Sequence, residues 1–125
     1  MTRPRIVIAD DHRLLAELCK SLLEPEFDVV AIAGDGVALV STVGELQPDL
    51  IVVDIGMPRM NGFEAAQEVR QSWPEVKIVF LTMENLPEIA AEAYRRGASG
   101  FLHKTCASEE LVLAVRAVLA GQTYP

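Results

Sequence analysis

Apolar residues along this chain fall into short, nearly unbroken runs separated by longer stretches of helical spacing. Five runs read as strands, over residues 5–9, 28–33, 50–54, 77–82 and 100–103, each bounded by turn or helix-start residues. Between them, apolar positions recurring every three to four residues predict helices over 13–23, 36–46, 61–71, 87–96 and 108–120. Pro25, Pro48 and Pro74 fall between elements, and Gly97 and Gly121 follow helix ends. Ser108, Glu109 and Glu110 set polar and negative groups at the positive end of the last helix. The run Leu50-Ile51-Val52-Val53 has no polar alternation, as expected of a strand covered by helices on both faces. Strand followed by helix, five times over, predicts an α/β fold: a single doubly wound, five-stranded parallel sheet.

Length and composition agree with one domain. The chain has 125 residues, half of them hydrophobic, enough to bury a sizeable core. No apolar run approaches the ~20 residues that a membrane-spanning helix needs. Met1-Thr2-Arg3-Pro4-Arg5 runs into the first strand with no signal-peptide core, so the expected location is cytoplasmic. Cys19 and Cys106 have no metal-ligand or redox spacing and are expected to be free thiols. A formal charge of −7 with scattered basic residues argues against direct nucleic-acid contact. Residues 1–121 are expected to form the domain. The ending Gly121-Gln122-Thr123-Tyr124-Pro125 reads as a frayed tail, with 122–125 starting a linker and the chain cut from something longer.

In a doubly wound sheet, ligands bind beyond the carboxyl ends of the strands. Asp10-Asp11 follow the first strand, Asp54 ends the third, Thr82 ends the fourth and Lys104 follows the fifth. Each alone has a structural explanation: Asp caps helices, Thr suits a strand end, and Lys reaches water. Together they converge on one place. Three carboxylates there would repel one another unless a cation sat among them, and hard oxygen ligands suit Mg²⁺, with Mn²⁺ as an alternative. The opposing reading is three solvated acids balanced by Lys104. A carboxylate beside a divalent cation can attack phosphorus, and Asp54, ending the apolar central strand, is the candidate nucleophile. Asp10 and Asp11 would then hold the metal, with Thr82 and Lys104 binding phosphoryl oxygens.

Asp10-Asp11, Asp54-Ile55-Gly56-Met57-Pro58 with Asn61-Gly62, Leu81-Thr82 and Gly100-Phe101-Leu102-His103-Lys104 together make the chain resemble the receiver domain of two-component response regulators, a CheY-like family. The resemblance covers essentially the whole chain. It implies a flavodoxin-like (βα)5 fold with strand order 2-1-3-4-5 and Mg²⁺-dependent phosphotransfer from a sensor histidine kinase to Asp54. By position, it gives Asp10, Asp11, Asp54 and the Gly56 backbone carbonyl to the metal, and makes Thr82 and Phe101 switch residues. Phe101 replaces the more usual Tyr and lacks its hydroxyl. Thr105 stands where many receivers have Pro. With Leu81-Thr82-Met83 and the C-terminal ending, this resembles the NarL/FixJ class, whose receivers precede a LuxR-type helix-turn-helix domain. The implied output is transcriptional, through a C-terminal DNA-binding domain outside this chain, with homodimerisation on phosphorylation.

Two other readings compete. A haloacid-dehalogenase-like phosphatase also uses a strand-end Asp nucleophile, but it needs a second Asp two residues later, where this chain has Gly56. An unphosphorylated receiver-like interaction module would need none of Asp10, Asp11, Asp54, Thr82 and Lys104. The expected protein is therefore a switch with slow self-dephosphorylation and not a turnover enzyme. Gly56 and Glu84 flank the site and are the candidates for setting phosphoryl lifetime. Leu111, Val112, Val115, Val118 and Leu119 of the last helix are expected to face the core, any left exposed being available to a dimer.

Overall fold

The computed structural model describes residues 3–84 and 87–124. Met1, Thr2 and Pro125, within the expected lead-in and linker, lie outside them. The elements alternate as β1 (Arg5–Ala9), α1 (Arg13–Leu23), β2 (Asp28–Ala33), α2 (Gly36–Leu46), β3 (Leu50–Asp54), α3 (Gly62–Ser72), β4 (Lys77–Thr82), α4 (Pro87–Arg95), β5 (Gly100–His103) and α5 (Ala107–Leu119). All five strands lie in one parallel sheet of order β2-β1-β3-β4-β5. Both the doubly wound class and the expected order are met.

Period-two alternation along buried strands divides the core into two layers. Leu50 and Val52 of β3 join Ile6, Ile8, Val79, Leu81 and Leu102 under α1 and α5. Ile51 and Val53 point the other way, with Val7, Ile78 and Phe80, under α2, α3 and α4. Every residue of β3 is buried, which is why its sequence shows no polar face. In α5, Leu111, Val115 and Val118 are buried and Val112 and Leu119 pack partly, whereas Leu113 is half exposed.

Five helix boundaries differ from expectation by one residue, α3 running on to Ser72, and the two shifted helix starts have a local reason. Asn61 does not begin α3 but caps it: its side chain accepts from Glu64 N–H while the Glu64 carboxylate accepts from Asn61 N–H, a capping box. Before α5, Lys104–Cys106 form a short 3₁₀ turn, stabilised where the His103 ring accepts from Thr105 N–H, so α5 starts at Ala107 and not Ser108. At the other end α5 stops at Leu119 and α4 at Arg95, one residue short of the expected ends.

The expected frayed tail is a larger correction. Gly121 adopts φ +88°, a turn open to glycine, and Gln122 N–H bonds back to Ala117 C=O. Tyr124 then lies along the free edge of β5 as an isolated parallel bridge to Gly100. Its N–H donates to Ser99 C=O, and its carbonyl accepts from Phe101 N–H and from the Tyr94 hydroxyl. Its own hydroxyl donates to Glu110. Four hydrogen bonds hold residues that composition alone marks as loose.

Candidate functional site

The strand order reverses direction between β1 and β3, and the chain crosses to opposite faces on leaving them, so a crevice opens at their carboxyl ends. Asp10, Asp54, Thr82 and Lys104 all reach it, and these four are the buried polar or charged side chains among the described residues, each no more than 5 % exposed. Such groups stay buried only when paired. The Lys104 ammonium sits 3.2 Å from Asp10 Oδ2 and 3.1 Å from Asp54 Oδ2, inserted between the two carboxylates. Removing Lys104 would leave two buried carboxylates uncompensated, worth ~3–5 kcal/mol, whereas losing one carboxylate leaves the ammonium paired with the other.

Backbone donors hold the carboxylates in place. His12 N–H donates to Asp10 Oδ1 at 2.8 Å, and Gly56 N–H to Asp54 Oδ1 at 3.1 Å. Glu84 N–H donates to Thr82 Oγ1 at 2.9 Å, which leaves the hydroxyl proton free to reach a ligand. Burial pushes the Asp54 carboxyl above its ordinary range, the Asp10 charge adds to this, and the Gly56 N–H and Lys104 oppose it. One oxygen is left without a hydrogen bond: Asp10 Oδ2 is buried and accepts none, because the Lys104 ammonium near it lies off the line that a hydrogen bond requires.

Asp11 is partly exposed at the rim, and His12 beside it turns its ring back over the acids. Oxygens of Asp10, Asp11 and Asp54 and a ring nitrogen of His12 lie within 4.8 Å of one another, close enough to share one cation. The donor set suits a divalent cation: three carboxylates against one ammonium leave excess negative charge, and the orphaned Asp10 oxygen lacks a donor. Beside this cluster a cleft of about 240 Å³ is lined by His12, Asp54, Ile55, Gly56, Thr82, Met83, Glu84 and Lys104. Asp54 thus faces open space on one side and a fixed cation on the other.

Of the site residues singled out in the sequence, Phe101 is the one outside both the acidic cluster and the cleft. It is half-buried against the core under α2–α4, and its N–H is tied to Tyr124. His12 is the residue that sequence reasoning missed. Its signal was its place directly after Asp10-Asp11 in a chain with two histidines.

The family model for the response regulator receiver domain matches residues 6–116. The chain belongs to that family. This receiver is 40 % identical over 122 residues to the transcriptional regulatory protein DegU of Brevibacillus brevis, covering 96 % of this chain and 52 % of that protein. It is 38 % identical over 123 residues to the oxygen regulatory protein NreC of Staphylococcus aureus, covering 96 % of this chain and 57 % of that one. The chain therefore spans about half the length of these curated relatives. Among solved structures, a LuxR-family two-component response regulator from Aurantimonas superposes with TM-score 0.94 at 34 % identity, covering 99 % of this chain and 90 % of that one. The expected NarL- and LuxR-like kinship is borne out. No helix among the described residues is long and apolar enough to cross a membrane.

Proposed function

We propose that Asp54 is the phosphoacceptor of this receiver, taking a phosphoryl group from a phosphohistidine on a sensor histidine kinase and storing it as a signal. The observation that carries the reading is the Lys104 ammonium buried between Asp10 and Asp54, beside an open cleft. In the transfer an Asp54 oxygen bonds to phosphorus as the phosphorus–nitrogen bond breaks. The leaving imidazole nitrogen keeps the bonding pair and later takes a proton from water. Lys104 offers its charge, and Thr82 its free hydroxyl proton, to the phosphoryl oxygens.

Asp10, Asp11, Asp54 and the Gly56 carbonyl are the residues to hold Mg²⁺, or Mn²⁺ in its place. The metal supplies charge neutralisation between two anions and in-line orientation. Gly56 contributes only backbone at the position where a phosphatase would carry its acid, which favours persistence of the acyl phosphate over turnover.

The acyl phosphate carries up to about two negative charges where the carboxylate carried one, and adds strong acceptors. It would draw Thr82 and Lys104 inward and repack the face of α4, β5 and α5, where Phe101 sits. The names of the relatives, a transcriptional regulatory protein among them, support a transcriptional readout: a receiver domain that includes the docked Tyr124, a linker after it, a DNA-binding output domain and homodimerisation on phosphorylation, in the cytoplasm and without direct nucleic-acid contact by the receiver. The test is incubation with acetyl phosphate and Mg²⁺ followed by intact mass. One added phosphoryl group on the wild type and none on Asp54→Asn is expected. No adduct under conditions that label another receiver would overturn the assignment.

A further inference from the structure

We propose that His12 makes this cation site selective, its imidazole adding a nitrogen ligand that favours Co²⁺ and Ni²⁺ relative to Mg²⁺ beyond what an all-oxygen site would. The inference rests on the reading of Asp10, Asp11 and Asp54 as holding a divalent cation, and it adds a residue that reading does not use.

The ring is built into the cluster. His12 precedes α1 in an extended conformation, and its side chain makes no capping bond to that helix, so the ring is free for another role. Asp10 Oδ1 holds the His12 backbone N–H at 2.8 Å and so folds the residue back over the carboxylates. Nδ1 then lies 3.3 Å from Asp10 Oδ1 and 3.4 Å from Asp11 Oδ1. The Lys104 ammonium is 3.4 Å from the same nitrogen. The ammonium can only donate and the two carboxylates can only accept, so a cation among the acids takes the Nδ1 lone pair in the tautomer that carries its proton on Nε2. Independently of the ring, the buried Asp10 Oδ2 has no directed hydrogen bond, its cationic neighbour being the Lys104 ammonium 3.2 Å away, which is shared with Asp54.

The other histidine shows the contrast. His103 has both ring nitrogens committed, Nδ1 with Thr105 and Nε2 3.0 Å from Met83 C=O. Only His12 offers a ring nitrogen to the acids.

Carboxylate and carbonyl oxygens suit Mg²⁺, whereas imidazole adds affinity along the series from Mn²⁺ through Co²⁺ to Ni²⁺. The His12 side chain is 67 % exposed, and its Nε2 has no hydrogen-bond partner among the described residues. Strong metal histidines are usually fixed through that second nitrogen. The gain here is therefore set at the lower end of what ring orientation supplies, about tenfold.

Isothermal titration of the untagged chain with Mg²⁺, Mn²⁺, Co²⁺ and Ni²⁺ separately tests this, on wild type, His12→Ala and His12→Asn. Both variants should retain Mg²⁺ affinity within about threefold while the preference for Ni²⁺ over Mg²⁺ falls about tenfold. An exchangeable imidazole N–H proton, shifted by bound Co²⁺ in the proton spectrum of the wild type, should be missing from His12→Asn. An unchanged Ni²⁺ to Mg²⁺ ratio in both variants, with metal binding intact, overturns the role of His12 and leaves the phosphoacceptor reading standing. A wild type that binds none of these cations overturns the cation site itself and the inference with it. Because the ring is exposed and caps nothing, far-UV circular dichroism of both variants should match the wild type.

Discussion

Gly62 offers the most direct way to push on Asp54 without touching its carboxylate. It is the first residue of α3, and its N–H donates to Ile55 C=O, which brings the helix start against the end of β3. A methyl group added there would stand 2.4 Å from the Asp54 carbonyl oxygen and 2.8 Å from Ile55 Cα. Real contacts of this kind do not fall below 3.0 Å, so backbone and helix must part by roughly 0.6 Å. Both obstacles are backbone, which cannot swing aside as a side chain does. Overpacking typically costs ~1–3 kcal/mol, and the gain of Ala over Gly in a helix, ~0.5–1 kcal/mol, offsets part of it. The expected result for Gly62→Ala is a net loss of ~1 kcal/mol, or about 4 °C in Tm for a domain of this size. Urea unfolding followed by circular dichroism measures it, with Gly34→Ala as control, since an added methyl there meets nothing. A domain with ~5 kcal/mol or more in hand stays folded at 25 °C after that loss. Reduced phosphoryl uptake by Gly62→Ala would therefore report a displaced Asp54. A Gly62→Ala protein within ~0.5 kcal/mol of wild type, or a Gly34→Ala protein equally weakened, would refute the packing account.

Asp54→Asn should stabilise the metal-free protein at neutral pH. Burial raises the Asp54 carboxyl, so its contribution to stability is complete below the unfolded-state value near 3.8 and is lost as pH rises through the folded-state value. The gap between variant and wild type should widen from pH ~4 to pH ~7 and narrow again with Mg²⁺; a gap independent of pH would contradict the sign. A bulky residue in place of Gly56 should slow loss of the phosphoryl group, followed by intact mass over time, because it closes the open flank to water; an unchanged lifetime counts against that. Burial pushes the Cys19 thiol up to about 11, whereas Cys106 is only partly buried. Iodoacetamide at mildly alkaline pH should therefore label Cys106 in the native protein and Cys19 only in urea. Comparable native labelling of both would show that the α1 face of the core opens readily.

All five strands were legible to the residue: in β1, β3 and β4 burial on both faces leaves apolar runs that stop where the sheet stops, and the less buried β2 and β5 are still mostly apolar between turn residues. Helix ends were less so, since they depend on which group satisfies the free backbone. Asn61 looks like the first residue of a helix until its side chain is seen accepting from Glu64 N–H. The tail was misread for a related reason. Gly, Gln and Thr have the composition of a loose end, but an unpaired edge of β5 offers hydrogen bonds that no local pattern records, and Tyr124 takes them.

The site was legible in its members and not in its balance. Sequence and topology together bring Asp10, Asp54, Thr82 and Lys104 to one crevice, because each stands at the carboxyl end of a strand. Nothing in the order of residues says that Lys104 is buried between two acids instead of reaching water, or that one oxygen of Asp10 goes without a donor. Those facts bear on function. An ammonium held between Asp10 and Asp54 keeps the cluster folded while its charge remains unbalanced, and a fully neutralised cluster would have little affinity left for a divalent cation. The Asp54 carboxyl is raised first by burial and further by the Asp10 charge, so these acids are held together at a cost that a further cation would relieve. What makes the resting site electrostatically unfavourable is what gives a cation a reason to bind there, and in the proposed role that cation and Lys104 together would offset the charge of an incoming phosphoryl group.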